Sequence, residues 1–254
     1  MKVIILGSGT STGVPRVGGD WGACDPAEPR NRRTRVSILV ENDAGQRILI
    51  DTSPDLREQL LRHDIGRLDA VLWTHDHADH CHGIDDLRVM RYDRSNPLPG
   101  FASEGTVSRL KRRFDYIFEG QHGYPTLVEI KPLGMRLLAG FGLDWVEMPH
   151  GPTTSTAFRL EADGKAIIYA TDFSEITDGM IDCFQGADLI VCDCLRRSPH
   201  PTHSNLGMSL ELRDRIRCKT MILTHLDKSM DYKTLSGEVP KGVKVGYDGM
   251  EWRG

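Results

Sequence analysis

The stretch WTHDHADHCHGIDDL, residues 73–87, sets His75, His77, His80 and His82 among Asp76, Asp79, Asp85 and Asp86, so four of the ten histidines of the chain fall within eight positions. Imidazole nitrogen and carboxylate oxygen together suit Zn, Mn, Fe and related divalent ions. His75, His77, Asp79 and His80 are too closely spaced to wrap one ion. Two ions side by side resolve the crowding, with His75 and His77 on the first and Asp79 and His80 on the second. Each ion then needs further ligands. His150 in LDWVEMPH, Asp172 in AIIYATD and His225 in TMILTH each close a distant apolar run. A carboxylate can bridge two ions, which suits Asp172; His150 completes the first site and His225 the second. Two divalent ions about 3.5–4 Å apart would clamp an oxyanion and lower the pKa of a shared water.

Such convergence requires elements that deliver chain-distant residues to one edge. Short runs rich in Val and Ile lie between turn signals: 2–6, 35–41, 46–52, 69–75, 143–150, 156–162, 166–172, 188–194 and 220–225. Helical patterns separate several of them, at 54–64, 83–92, 103–118, 174–186 and 206–218. Strands in meander order fill the first half, and strands alternate with helices in the second. This mixed α/β (α+β) pattern predicts sheets covered by helices, a four-layer αββα sandwich, as one domain over 1–254. The Pro- and Gly-bearing stretches 95–101 and 198–205 read as surface loops. Asp51, closing RILID, and Asp193, in LIVCDC, stand at further strand ends.

A net charge of −4 and a pI near 6.2 give no global attraction to nucleic acid. No apolar run approaches the length of a membrane span. The N-terminal MKVIILGSGTSTG reads as a strand and a Gly-rich turn rather than a signal peptide, and the expected location is the cytoplasm. Six scattered cysteines are expected as free thiols, Cys192 and Cys194 being structural and on opposite sides of a strand.

HxHxDH followed by a strand-end His, a strand-end Asp and LTH resembles the signature of the metallo-β-lactamase fold hydrolases. The N-terminal LGSGTSTGVP and the closing VGYDGM are similar to one subgroup, the phosphodiesterases of phosphonate-degradation operons that act on a cyclic ribosyl phosphate. The resemblance spans nearly the whole chain. It implies the αββα sandwich and two divalent metal ions, Zn or Mn above all. His75, His77, His150 and Asp172 would hold one ion, and Asp79, His80, Asp172 and His225 the other. Members of the subgroup also carry a cysteine cluster, completed by a later His, for a separate structural zinc. Here only Cys24 of that cluster is present, and Lys228 stands where the extra His falls, so no structural zinc is expected.

His203, in SPHPTHSNLG, matches a loop His that touches phosphate in the resembling phosphodiesterases and tRNA 3′-processing nucleases. A general acid there makes chemical sense, because hydrolysis of a phosphodiester must expel a poor alkoxide leaving group. His203 and Asp79 are taken as catalytic, His200 as the local competitor, and Ser204 with His203 as phosphate contacts; Asn205 is read as a turn former. His82 is not counted as a ligand. Asp51 is assigned to orienting a metal-bound His, and Asp85 and Asp86 to a helix N-terminus. The basic runs SRLKRRF (108–114) and RNRRTR (30–35) read first as solvated, with a phosphate-facing role as the alternative.

These readings predict a dinuclear phosphodiesterase for a small ribose- or nucleotide-like phosphodiester, cyclic ones included. Large nucleic acid is disfavoured and a homodimer stays open. The alternatives are an RNA 3′-end nuclease, a thioester or lactam hydrolase of the same fold, and a non-catalytic nucleotide-binding protein.

Overall fold

The computed structural model describes residues 1–254 except Asp93 and His122. Its first half contains strands β1 (Lys2–Gly7), β2 (Ser37–Glu41) and β3 (Arg47–Ile50), helix α1 (Leu56–Arg62), β4 (Ala70–Leu72), the short α2 (Ala78–Cys81), a 3-10 helix (Ile84–Arg91), β5 (Leu98–Ala102), α3 (Glu104–Arg113), α4 (Asp115–Phe118) and β6 (Val128–Pro132). The second half runs β7 (Leu137–Leu138), β8 (Phe141–His150), β9 (Thr153–Ala162), β10 (Lys165–Ala170), α5 (Asp178–Phe184), β11 (Leu189–Asp193), α6 (Leu206–Ile216), β12 (Thr220–Thr224), α7 (Tyr232–Glu238), β13 (Val243–Val245) and β14 (Glu251–Arg253). One sheet has the order β14-β1-β2-β3-β4-β5-β6 and the other β13-β12-β11-β10-β9-β8-β7.

Both sheets follow one plan. β1, β2 and β3 form an antiparallel meander, after which β4, β5 and β6 join in parallel. β8, β9 and β10 repeat the meander, and β11, β12 and β13 the parallel extension. Parallel neighbours need crossover connections, and here helices supply most of them. In an antiparallel meander alternate strands share a direction, so β8, β10, β11 and β12 all end at one edge. Their last or following residues are His150, Asp172, Asp193 and His225. β1, β3 and β4 likewise end together, beside the loop that follows Gly7, Asp51 and the loop carrying His75.

Side chains alternate between two apolar layers on each sheet. Ile5, Ile38, Ile48, Phe158, Tyr169, Val191 and Ile222 meet between the sheets. Leu39, Val71 and Trp73 pack instead against α1, the 3-10 helix, α3 and α4, while Ile168, Ile190 and Leu223 pack against α5, α6 and α7. Two mixed sheets flanked by helices give the αββα sandwich expected from the sequence. Among the described residues no helix is long and apolar enough to cross a membrane.

Some local expectations fail for physical reasons. The stretch 95–101, read as a surface loop, contains most of β5, an inner strand whose Leu98 and Ala102 are fully buried. Pro99 precedes Gly100, the first residue to pair with β4, and a Cβ on Gly100 would come within 2.7 Å of the Trp73 ring. Close ring packing, not a turn, explains that glycine. The helix expected over 103–118 breaks at Phe114, and that over 83–92 is a 3-10 helix. Cys192 and Cys194 lie on the same helix-covered face rather than on opposite ones, as residues two apart on a strand must. All six thiols are free.

Candidate metal centre

The site is built on strand ends in strained backbone. Asp51, Asp172 and His225, each just past β3, β10 or β12, have φ of 65°, 62° and 58°. Non-glycine residues rarely adopt this left-handed conformation, and it recurs at functional sites because the surrounding structure must hold it. The two halves hold it alike. Ser37 Oγ donates to the carbonyls of Ile50 and Asp51 at 3.0 and 2.9 Å, and Ser155 Oγ to those of Thr171 and Asp172 at 3.0 and 2.7 Å.

Asp172 is the centre of the cluster. Its Oδ2 lies 3.6 Å from His75 Nε2 and 3.5 Å from His150 Nε2, and His77 Nδ1 is 3.2 Å from His150 Nε2. Its Oδ1 lies 3.5 Å from His80 Nε2 and 3.6 Å from His225 Nε2, while Asp79 Oδ2 is 3.5 and 3.3 Å from the same two nitrogens. One oxygen thus faces the group His75, His77 and His150, and the other the group Asp79, His80 and His225. Nitrogen and oxygen donors at about 2.0–2.1 Å around a tetrahedral ion lie about 3.4 Å apart. The donor atoms fit that spacing. Buried His75 Nε2, His80 Nε2 and Asp172 Oδ1 have no hydrogen-bond partner among the described residues. Such orphaned polar atoms are costly unless a cation satisfies them.

An outer layer fixes the rings. His80 Nδ1 donates to Asp51 Oδ2 at 2.7 Å, and His150 Nδ1 to the Thr202 carbonyl at 2.6 Å. The Thr74 hydroxyl spends its one hydrogen on Asp51, at 2.9 Å, and so accepts from His75 Nδ1 at 3.0 Å. In each case Nε2 is left with a lone pair turned toward the cluster. Burial depresses His75 well below the usual imidazole pKa, assisted by the neighbouring His80. Burial also acts against a charged His225, yet Asp172, Asp79 and Asp193 outweigh it and raise its pKa to about 9. Asp172 is held well below the usual carboxylate range: burial opposes this, but His225 and His80 prevail. The carboxylates thus favour positive charge at His225, while burial disfavours it at His75.

His203 joins this edge. Its Nδ1 lies 3.3 Å from Asp193 Oδ2 and 3.7 Å from Asp172 Oδ2, and its ring stacks on His225 at 4.8 Å between centroids. His200 is one ring further out, 5.0 Å from His203. The Ser204 hydroxyl is fully buried and engaged with Ser209 Oγ at 2.9 Å, so it is withdrawn as a phosphate contact; its backbone N–H donates to Asp193 instead. Asn205 caps α6 through its side chain. His82 is exposed, edge-on to Phe114, outside both donor groups. Asp85 binds Tyr116 and Arg88 at the surface.

The basic runs have other work than meeting a phosphate. Arg109 and Arg113 grip Asp76, inside the metal-binding block itself. Arg33 is buried and donates to the carbonyls of Asp227 and Met230 at 3.3 and 2.7 Å, with Cys24 Sγ 3.8 Å away. Neither partnership was legible in the sequence, where charge runs carry no record of what they face.

A model of the beta-lactamase superfamily domain matches residues 46–226. The chain belongs to the metallo-β-lactamase superfamily. A solved diphosphatase of the PhnP family is 36% identical, with a TM-score of 0.89, over 99% of this chain and 96% of that one. Zn2+-bound PqqB from Methylobacterium extorquens has a TM-score of 0.79 at 20% identity, over 100% of both chains. Among curated sequences, a Porphyromonas gingivalis protein named octanoyltransferase is 34% identical over 99% of this chain. The chain spans about half of that relative's length, 51%.

Proposed function

We propose that residues 1–254 form one catalytic unit, a dinuclear-metal phosphodiesterase for a small ribose- or nucleotide-like phosphodiester, cyclic ones included. The observation that carries this reading is the Asp172 carboxylate, which turns one oxygen to His75 and His150 and the other to His80 and His225. His75, His77, His150 and Asp172 would hold one ion, and Asp79, His80, His225 and the same Asp172 the second. Two divalent cations, when bound, activate water as a nucleophile and neutralise charge on phosphoryl oxygens. Asp79 serves as ligand and holds the second position against His225. His203, oriented by Asp193, donates a proton from Nε2 to the departing alkoxide.

A cavity of about 230 Å3 opens beside His203, with Thr12, Arg16, Arg196 and His200 among its walls. Polar, basic walls suit a sugar phosphate. Among the described residues its walls include no Trp, Tyr or Phe to stack a base, and Leu195 is too small an apolar surface to bury an octanoyl chain. The diphosphatase activity in the name of the PhnP-family neighbour fits the same chemistry. A panel of bis(p-nitrophenyl) phosphate, a ribosyl cyclic phosphate, cyclic nucleotides, a tRNA precursor and thioesters, with metal content measured in parallel, tests the reading. Phosphodiester turnover with two ions per chain supports it. Preferential thioester or tRNA cleavage, or one ion per chain, refutes it.

A further inference from the structure

Among the described residues, two histidine donors lack a hydrogen bond to an outer partner: His225, which is buried with Nδ1 3.6 Å from Asp193 Oδ1, and His77, which has neither burial nor such a neighbour to place it. His80 leans on Asp51, His150 on the Thr202 carbonyl and His75 on Thr74, but among the described residues His77 is bonded only to another donor, His150. Its ring is exposed, and it stands at the N-cap of α2 without a side-chain capping bond. An exposed imidazole with no outer partner is placed by its backbone alone. That backbone is held from outside: Asp76, between His75 and His77, accepts from Arg109 Nε at 2.5 Å through Oδ1 and from Arg113 at 3.2 Å through Oδ2. Arg113 also donates to the Asp76 carbonyl, which takes a further bond from the Cys81 thiol at 3.3 Å.

We propose that Arg109 and Arg113 are positioning residues that lock Asp76 and thereby hold His75 and His77 in donor geometry for the first metal position. The clamp rests on the reading of those histidines as metal donors. The two arginines stand four residues apart on α3, one turn of the same face, so a single rigid helix presents both guanidinium groups to one carboxylate. All three side chains are partly exposed, and ion pairs of that kind add little to global stability. Their effect is local. The second position, whose His80 leans on the buried Asp51 and whose His225 lies beside Asp193, does not depend on the clamp.

Zinc affinity of the full chain, measured by competition with a chromophoric chelator, tests this in two single-site backgrounds. His225→Ala leaves the first position and His150→Ala the second. Adding Arg109→Met with Arg113→Met should weaken zinc roughly 10–100-fold in the first background and less than about 3-fold in the second. Arg109→Lys, which keeps a cation near Asp76, should recover part of the loss. Equal weakening in both backgrounds, or none in either, overturns the clamp. Should circular dichroism show the double variant unfolded, Asp76→Asn is read by the same criterion. If His150→Ala and His225→Ala do not each remove one ion from the otherwise native chain, the two-ion reading fails first and the clamp falls with it.

Discussion

At the scale of single residues, the site separates groups that would hold metal from groups that tune or complete the chemistry, and the two respond differently to substitution. His203 touches Asp193 and Asp172 but sits at the rim, with Nε2 free to face a leaving group. His203→Ala should keep both ions and lose roughly 10²–10⁴-fold on a ribose or alkyl leaving group. On p-nitrophenolate, which departs without a proton, the loss should be much smaller. Equal losses on both substrates would make His203 a phosphate contact instead of a general acid. Asp51 acts through His80. Burial raises its pKa, against the pull of His80 and Thr74, so its charge is tolerated only while those partners are present. Asp51→Ala should therefore weaken the second ion by roughly 10–100-fold and the first, whose His75 reaches Asp51 only through Thr74, by less. A titration showing both ions weakened alike would contradict that division.

At the scale of elements, the loop between β1 and β2 is tied down by hydrogen bonds from a buried arginine. Where the resembling phosphodiesterases place a structural zinc, Arg33 lies buried and reaches Asn31, Cys24 and the carbonyls of Asp227 and Met230, while Lys228 pairs with Asp20 outside. A five-donor guanidinium can tie several loop carbonyls together much as an ion does. Burial depresses the Arg33 pKa, so this cation is held at some cost and depends on its acceptors. Cys24→Ser should leave metal content unchanged; loss of one ion per chain would reveal a zinc at this loop. Arg33→Met should lower the denaturation midpoint, each orphaned buried acceptor costing about 1–3 kcal/mol, and added zinc should not restore it. A variant as stable as the native chain would show that the loop is held by its other contacts.

At the scale of the whole molecule, the centre joins two sheets: the first supplies His75, His77, Asp79 and His80, and the second His150, Asp172 and His225. Ions bound only by the folded state stabilise it by mass action, about 2.7 kcal/mol at a hundredfold excess over Kd. Chelation should thus lower Tm, and Zn2+ or Mn2+ should restore it in proportion to the logarithm of concentration. The variant His225→Ala should show a smaller chelation shift. A Tm indifferent to chelator would mean that the donor cluster binds no metal tightly.

The sequence by itself determined the layered fold and singled out the candidate donors, because both follow from local signals. HDHADH concentrates ligand atoms at a spacing that few structural needs explain, and apolar runs ending in His or Asp mark strands whose direction the meander sets. Its blind spots were of another kind. β5 was hidden because Pro99 and Gly100 signal a turn locally, while the packing of Trp73 against Gly100 decides otherwise. Ser204 resembled a phosphate ligand until α6 enclosed its hydroxyl beside Ser209. Arg33, Arg109 and Arg113 read as solvated charge, since a charged side chain advertises nothing about its partner. Those partners, Asp227 and Met230 for one and Asp76 for the others, are brought into reach only when the loops and α3 fold back onto the edge where the strands end. Tertiary structure alone decided which charges hold the site in place, because that depends on distances between chain-remote groups that no spacing in the sequence records.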